Sequence, residues 1–294
     1  VILNKTAIEE VKEEYVCELT FNAIERDTLG KEIPAFQKDS WSTIAANIKN
    51  GNTSLYNVGD TKIITIASHT NDCSAYDANS KVCVSSVEPE KEALIRISNM
   101  SECTNGETSE TACGFVIEFV DIIEEHHFNK TDYSTAQYQY GTNVGGWRDS
   151  ELRTYLNDTF YKSLPSDLQS VIATTKVVSG HGSTTGETNT ESEDKIYLFS
   201  THEIWEDSTD RPISLYDTAF KETKQLDYYK NKGVTTDNYE AAIKRLIEGD
   251  KFSWWLRSAS LEFPHAFFHV RNGDSWGVNG SIKTDGVSPA FRIA

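Results

Sequence analysis

The segment from residue 252 to residue 294 constrains the fold more than any other part of the chain. Short aromatic runs alternate there with Gly, Asn and Asp, the residues that end strands and form turns. The runs cover residues 252–257, 267–271, 275–279 and 287–293. This pattern predicts a β-rich tail that contains no long helix and ends on an apolar strand.

The first part of the chain predicts a helix followed by an antiparallel sheet. Residues 40–50 have apolar positions at helical spacing, with Asp39 or Ser40 as the N-cap and Gly51 as the stop signal. Strand-like runs follow at residues 62–66, 94–98 and 114–121.

The middle of the chain predicts short helices around one buried strand. Helical spacing occurs over residues 150–157 and again from Pro165 to residue 171. An apolar run at 194–200 predicts a buried strand, and Ser200 with Glu203 forms a capping box that starts a helical turn. Residues 206–250 then predict an insertion that carries one helix at 237–248.

We divide the chain into a lead-in segment, residues 1–37, and one domain, residues 38–294. The lead-in combines a charged stretch with a strand-like alternation at residues 15–21. The first residues, Val-Ile-Leu, are neither an initiation sequence nor a signal peptide, so we expect a fragment of a longer protein.

The charge of the chain excludes one class of partner. It has 45 acidic and 28 basic residues, a net charge of −17 at pH 7, and no basic run that would offset it locally. Such a surface repels phosphate groups, so we expect no binding to nucleic acid or to anionic membranes. No apolar run approaches the ~20 residues that span a bilayer, and we expect no membrane insertion in this fragment.

All five cysteines lie in the first 113 residues. Cys73 and Cys83, and likewise Cys103 and Cys113, are separated by nine residues, which favours two disulfides that close polar loops. A four-cysteine zinc site is the alternative, although such sites usually take ligands from pairs only two to four residues apart. Reduced thiols also stay open, and Cys17 is left without a predicted partner.

Several blocks of the sequence occur in an order that resembles a bacterial domain of unknown function. That domain is common in surface and secreted proteins of Gram-positive gut anaerobes, and the resemblance covers about residues 38–294. The blocks are Ser-Trp at 40–41 through residue 48, Tyr-Asn-Val-Gly-Asp-Thr-Lys at 56–62, Ala-Cys-Gly-Phe-Val-Ile-Glu-Phe at 112–119, Gly-Gly-Trp-Arg-Asp-Ser-Glu-Leu-Arg at 145–153, residues 194–200, Trp-Trp-Leu-Arg-Ser at 254–258, and Gly-Val-Ser-Pro-Ala-Phe at 286–291.

The last blocks also look like the C-terminal part of the C-type-lectin-like fold of formylglycine-generating enzymes and of the variable proteins of diversity-generating retroelements. The resemblance implies an α+β fold with a mainly antiparallel sheet and two or more flanking helices. It also implies that the stretch before the final strand is an exposed ligand face. Ser288 departs from the family, because the motif usually has Arg there. A core salt bridge from that Arg must be absent or replaced.

The motifs of known chemistry are missing or weak. The enzymes of this fold bind copper through a cysteine pair in the C-terminal half, and this chain has no cysteine after Cys113. The Glu-Pro-Asn, Gln-Pro-Asp and Trp-Asn-Asp triplets of calcium-dependent lectins do not occur, and neither does a Gly-x-Ser-x-Gly elbow. The Glu-Glu-His-His run at 124–127 is interpreted as a solvated end of an element. We therefore expect no cofactor and no metal.

The stretch from residue 261 to residue 285 mixes aromatic side chains, hydrogen-bonding groups and both charges, as recognition surfaces do. The candidate ligand-binding residues are Glu262, Phe263, His265, His269, Arg271, Asn272, Asp274, Trp276, Asn279 and Ser281. Trp254 and Trp255 face opposite sides of a strand, and we expect both in the core.

These observations favour a non-enzymatic module at the cell surface or outside the cell that binds a protein or glycan. A structural spacer domain of a surface protein is the first alternative. A divergent hydrolase or oxidase using His181, His202 or His269 is the second.

Overall fold

The computed structural model describes residues 33–77, 82–129, 141–183, 186, 188–247 and 249–294. Residues Pro34–Ala294 form one compact unit. The predicted strand at residues 15–21 and Cys17 lie outside the described residues. Within the described ranges, every helix is too short or too polar to cross a lipid bilayer.

The architecture is mixed, with antiparallel sheets dominating and few helices, as predicted at this level. The helices are α1 (Ala35–Lys38), α2 (Trp41–Lys49), α3 (Glu151–Tyr155), α4 (Tyr161–Ser163), α5 (Ser166–Gln169), α6 (Thr201–Ile204) and α7 (Asp227–Asn231). The strands are β1 (Thr61–Ile66), β2 (His69–Asp77), β3 (Val82–Glu88), β4 (Lys91–Asn99), β5 (Phe115–Phe119), β6 (Glu124–His127), β7 (Thr175–Ser179), β8 (Thr190–Asp194), β9 (Lys244–Arg245), β10 (Lys251–Phe252), β11 (Trp254–Ala259), β12 (Ala266–Val270), β13 (Trp276–Gly280), β14 (Thr284–Val287) and β15 (Ala290–Ile293).

Two larger sheets form the body of the domain. The first has the order β1-β4-β5-β15 and is antiparallel throughout. The second has the order β13-β12-β11-β14-β6, in which only the β11–β14 pair is parallel. Smaller antiparallel pairs join β2 to β3, β7 to β8 and β9 to β10. The tail predicted from residue 252 onward therefore supplies four strands of the second sheet and the last strand of the first.

Local capping signals account for the helices that sequence analysis predicted. Ser40 accepts a hydrogen bond from the Thr43 backbone at the start of α2, and Gly51 follows the helix at φ 74°, where a side chain would be strained. Ser150 caps α3 in the same way, and the chain then continues as a π-helix over Leu156–Phe160. The predicted capping box at the start of α6 is present.

Two predicted elements differ in the structure. Strand β8 ends at Asp194, and residues 195–200 form no strand, because the backbone amides of Lys195 and Ile196 donate to the Asn157 side chain instead of to a neighbouring strand. Residues 195–200 contain one isolated bridge, from Tyr197 to Ala290.

The prediction of a helix at residues 237–248 was wrong. The described part of that segment contains a 3-10 turn at Glu240–Ala242 and strand β9. The buried position of Lys244 on β9 decides this local structure, since its amine reaches a carboxylate in the core. Tertiary contacts here override helical spacing.

Candidate functional site

Strands β11, β12 and β13 carry the residues predicted to bind a ligand. Glu262, Phe263 and His265 lie in the connection between β11 and β12, whereas Arg271 and Asn272 lie in the turn between β12 and β13. Successive connections of an antiparallel meander lie at opposite ends of the sheet. The structure therefore divides the predicted surface into two groups rather than bringing it together.

Two of the predicted residues, His269 and Asn279, both contact the carboxylate of Asp285. His269 is only 9% exposed, and its Nδ1 lies 2.7 Å from Asp285 Oδ2. Asn279 donates from Nδ2 to the same oxygen at 2.9 Å. These contacts join β12, β13 and β14 across one face of the sheet.

Ser281 is fully buried, and its hydroxyl accepts a hydrogen bond from the Thr142 backbone at 2.9 Å. A Cβ added at Gly141 would lie 1.9 Å from this hydroxyl. Ser281 therefore fixes the glycine-containing segment at 141–142 against the second sheet.

The end of the meander that carries the β12–β13 turn is polar. We call it the turn end, and a hydrogen bond joins it to the insertion at residues 206–250. Asp274 accepts a hydrogen bond from Arg211 at 2.9 Å, and this contact lowers the pKa of its carboxyl group. Trp276 is half-buried between the rings of Tyr216 and Phe268, with centroid distances of 5.8 and 5.7 Å. Arg271 and Asn272 remain exposed at this end.

The opposite end presents apolar side chains to solvent. We call this group the loop face; it consists of Val144, Leu215, Leu261 and Phe263, which are 47%, 64%, 40% and 40% exposed. The Leu261 amide donates to the Tyr216 carbonyl, which brings the 215–216 segment beside the β11–β12 connection. Exposed apolar side chains on adjacent segments make this end a candidate interaction surface.

Asn143 holds the loop face in one conformation. Its side-chain amide donates to the carbonyls of Ser260, Phe263 and Ala266 at 2.8, 3.0 and 3.0 Å, and its backbone amide donates to Pro264 at 2.9 Å. Asn143 itself is fully buried. The connection is therefore a rigid surface rather than a loose loop.

Sequence analysis included Phe263 in the site but missed Val144 and Leu215. Val144 was visible as an apolar residue in a glycine-rich bend, where no core position is expected. Leu215 gave no local signal, because only the folded chain brings it beside residue 261.

The sheet below the loop face is densely packed, and both tryptophans are buried as predicted. The Trp254 indole donates to the Ala242 carbonyl and the Trp255 indole donates to the His126 carbonyl. Arg257 makes a bidentate ion pair with Glu203, with both contacts at 2.6 Å and both side chains fully buried.

Ser288 contacts a buried cation. The Lys244 amine lies 2.7 Å from the Ser288 hydroxyl and 2.7 Å from Glu118 Oε2. Arg96 binds the other oxygen of Glu118 at 2.9 Å. Burial lowers the pKa of Lys244 to about 8, although Glu118 opposes this shift. The cation beside Ser288 thus comes from the 206–250 segment.

The Glu-Glu-His-His run is strand β6 and not a solvated end. His126 and His127 are at most 1% exposed, because β6 pairs with β14 and packs against β2. His126 Nε2 lies 2.8 Å from Asp72 Oδ1, and the imidazole stacks on the Tyr155 ring at 4.4 Å.

Both predicted cysteine pairs are disulfides in the structure, with Sγ–Sγ distances of 2.02 Å for Cys73–Cys83 and 1.92 Å for Cys103–Cys113. The Cys83 sulfur lies 3.4 Å from Nδ1 of His127. Among the described residues, Cys73, Cys83 and His127 are the one group of three possible metal-ligating atoms that lie within 4.8 Å of one another. With the disulfide closed, neither sulfur is a thiolate that could serve as a ligand.

The fold and the site together define a β-dominated domain with a rigid, partly apolar surface. The chain belongs to a family described as a domain of unknown function (DUF6273), whose profile matches residues 120–294, more than half of the chain. The matched region contains the second sheet and the loop face, whereas the four paired cysteines precede it. Searches of curated proteins and of solved structures returned no significant match.

Proposed function

We propose that the chain is a recognition module that binds a protein ligand outside the cell through the loop face. The observation that carries this proposal is the cluster of exposed apolar side chains on a connection that Asn143 holds rigid. A preorganised apolar patch loses little conformational entropy on binding and favours protein partners over phosphate-rich ones.

The surroundings of the loop face add specificity to this apolar patch. Glu262 and His265 flank Phe263, and the rings of Phe263 and His265 lie 6.1 Å apart. Aromatic and charged side chains at the edge of an apolar patch are typical of interface anchors. The polar turn at Arg271 and Asn272 lies at the other end of the meander and serves as an internal control.

The scaffold is of the C-type-lectin-like kind in this proposal. Its support is the ordered series of sequence blocks, together with the mainly antiparallel character of the two large sheets. The two disulfides support a location in an oxidising compartment, at the cell surface or in the medium.

A binding screen tests the proposal. The full chain is applied to an array of surface and secreted proteins and, in parallel, to a glycan array. The test variant carries Leu215→Ser, Leu261→Ser and Phe263→Ser, and the matched control carries Arg271→Ser and Asn272→Ser. We expect a protein ligand whose affinity falls about 100-fold in the test variant and less than about threefold in the control.

Other results overturn the proposal. Binding that survives in the loop-face variant but is lost in the control assigns recognition to the turn end. Binding to glycans alone rejects the protein ligand. Absence of binding on both arrays favours the structural spacer.

A further inference from the structure

We propose that the Cys73–Cys83 disulfide is a thiol–disulfide exchange centre in which His127, oriented by Glu151, accepts the proton of an incoming dithiol and then pairs with the Cys83 thiolate as it leaves. This inference does not depend on the loop face, because its residues lie on β2, β3, β6 and α3.

The arrangement of side chains around Cys83 is that of an activated thiol. The Cys83 sulfur lies 3.4 Å from His127 Nδ1, and His127 Nε2 lies 2.9 Å from Glu151 Oε2. A carboxylate can only accept, so Nε2 carries the proton and Nδ1 presents its lone pair to the sulfur. The disulfide sulfur that is attacked, a base beside it and an acceptor that orients the base are thereby aligned.

The two sulfurs differ in access. Cys73 is 1% exposed, whereas Cys83 is half-buried on β3. An incoming thiolate therefore reaches Cys83 first, and Cys73 is the sulfur that leaves. Exchange centres commonly pair one accessible sulfur with one that is protected.

The surroundings of His127 keep its imidazole neutral, so that it can act as a base. Burial lowers the pKa of its imidazole, and His126 on the same strand adds to this effect, whereas Glu151 and Asp72 oppose it. His127 is therefore neutral at pH 7 when the disulfide is closed and is ready to accept a proton when a thiol forms.

The reaction balances with a dithiol as reductant. One thiol of the dithiol gives its proton to His127 Nδ1 as its sulfur attacks the Cys83 sulfur. The Cys73–Cys83 bond breaks, and Cys73 leaves as a thiolate that takes a proton from solvent. The second thiol of the reductant then loses its proton to solvent and attacks the reductant sulfur of the mixed disulfide, and Cys83 leaves as a thiolate stabilised by protonated His127. Two electrons pass to the protein, and the reductant becomes a disulfide.

The second disulfide is a matched control within the same molecule. Cys103–Cys113 has the same sequence separation of 10, one buried cysteine and one half-buried cysteine. The Cys113 sulfur contacts the Ser109 carbonyl, and no imidazole hydrogen bond to either sulfur occurs in the described ranges. The difference between the two disulfides is therefore the His127–Glu151 pair.

The first experiment compares the two disulfides during reduction. The full chain, with Cys17→Ser to prevent exchange with the fifth cysteine, is treated with dithiothreitol at pH 7, alkylated at intervals and analysed by mass spectrometry. A dithiol protein replaces dithiothreitol in a second arm, to distinguish small from protein reductants. We expect Cys73–Cys83 to open about 10-fold faster than Cys103–Cys113, and this ratio to fall to about one in His127→Gln.

The second experiment measures the thiol directly. Cys73→Ser leaves Cys83 as a free thiol, and the pH dependence of its alkylation reports its pKa. We expect a midpoint at least about one unit below the ordinary value near 8.5, and a return to that value when His127→Gln is added. Cys113→Ser, which frees Cys103, should show the ordinary midpoint.

Circular dichroism shows whether each variant has folded, and Glu151→Gln, which keeps an acceptor for Nε2, should give an intermediate midpoint. Equal opening rates of the two disulfides in the parent chain overturn the proposal. An opening ratio or a Cys83 midpoint that His127→Gln leaves unchanged also overturns it, because accessibility alone then explains the reactivity.

Discussion

The interior of the second sheet buries polar side chains, whereas the loop face exposes apolar ones. In the interior, Arg257 and Glu203 are fully buried and form a bidentate ion pair. At the loop face, Leu215 and Phe263 remain exposed while Asn143 satisfies the backbone carbonyls beneath them. The residues that stabilise the fold therefore differ from those of the proposed recognition surface, and we expect the loop face to tolerate substitution without loss of the fold.

The largest effect should follow from breaking the buried ion pair. Arg257→Met leaves the Glu203 carboxylate buried without its cation, and we expect the free energy of unfolding to fall by about 3–5 kcal/mol. Urea denaturation measures this change. The double variant Glu203→Gln with Arg257→Met should recover part of the loss. Lys251→Met, which removes an exposed pair with Glu240, should cost less than about 1 kcal/mol.

A smaller effect is expected where the two regions meet. Asn143→Ala removes one donor from each of three carbonyl groups. The carbonyls of Phe263 and Ala266 keep a backbone donor, whereas that of Ser260 loses its side-chain donor, so the free energy of unfolding should fall by about 1–3 kcal/mol. Hydrogen exchange of residues 260–266 should accelerate in this variant. Asn272→Ala, at the exposed turn, is the control. An unchanged exchange rate would show that Asn143 does not hold the loop face.

The pH dependence of stability tests a second polar contact, the one between His69 and Glu124. Burial alone would lower the pKa of His69, but the hydrogen bonds to Glu124 and to the Ala67 carbonyl raise it above its ordinary value of 6.5. Its contribution to stability is therefore fully present below pH 6.5 and is lost as the pH rises through the folded-state pKa. Denaturation curves of His69→Gln and the parent chain should converge toward pH 9. A difference that does not change with pH would contradict this assignment.

The smallest effect on stability is expected at the loop face itself. Phe263→Ser removes an exposed ring that is not part of the core, so the free energy of unfolding should change by less than about 0.5 kcal/mol. Thermal denaturation checks this. A loss above about 2 kcal/mol would show that Phe263 serves the fold, and the contrast between the two regions would no longer hold.

Sequence analysis predicted the elements whose signals are local. Ser40 and Ser150 cap helices through contacts with residues three positions away, and the alternation from residue 252 onward is visible in a short window. The burial of both tryptophans follows from their size, and the two disulfides follow from equal spacing and loop composition.

The remaining features depend on residues that are distant in the chain. Lys244 lies on a strand, where its amine binds Glu118 in the folded protein. The local sequence around Lys244 does not predict this contact, because Glu118 is distant in the chain. The loop face forms only because the fold brings residues 144, 215 and 263 close together, although they are far apart in the sequence. The division of the predicted site between two ends of the meander needs the strand register, which an isolated sequence does not specify.

The pairing of β15 with β5 has a consequence for the order of folding. Ile293 pairs with Phe115, and Ala290 pairs with Glu118 and bridges to Tyr197. Strand β5 is buried along its whole length, so its apolar edge stays open until the last residues of β15 have been synthesised. Long-range pairing of this kind is slow, and an open apolar edge promotes aggregation. The edge of β5 that pairs with β15 is therefore closed late in synthesis, and nascent chains that stall before residue 290 leave it unpaired.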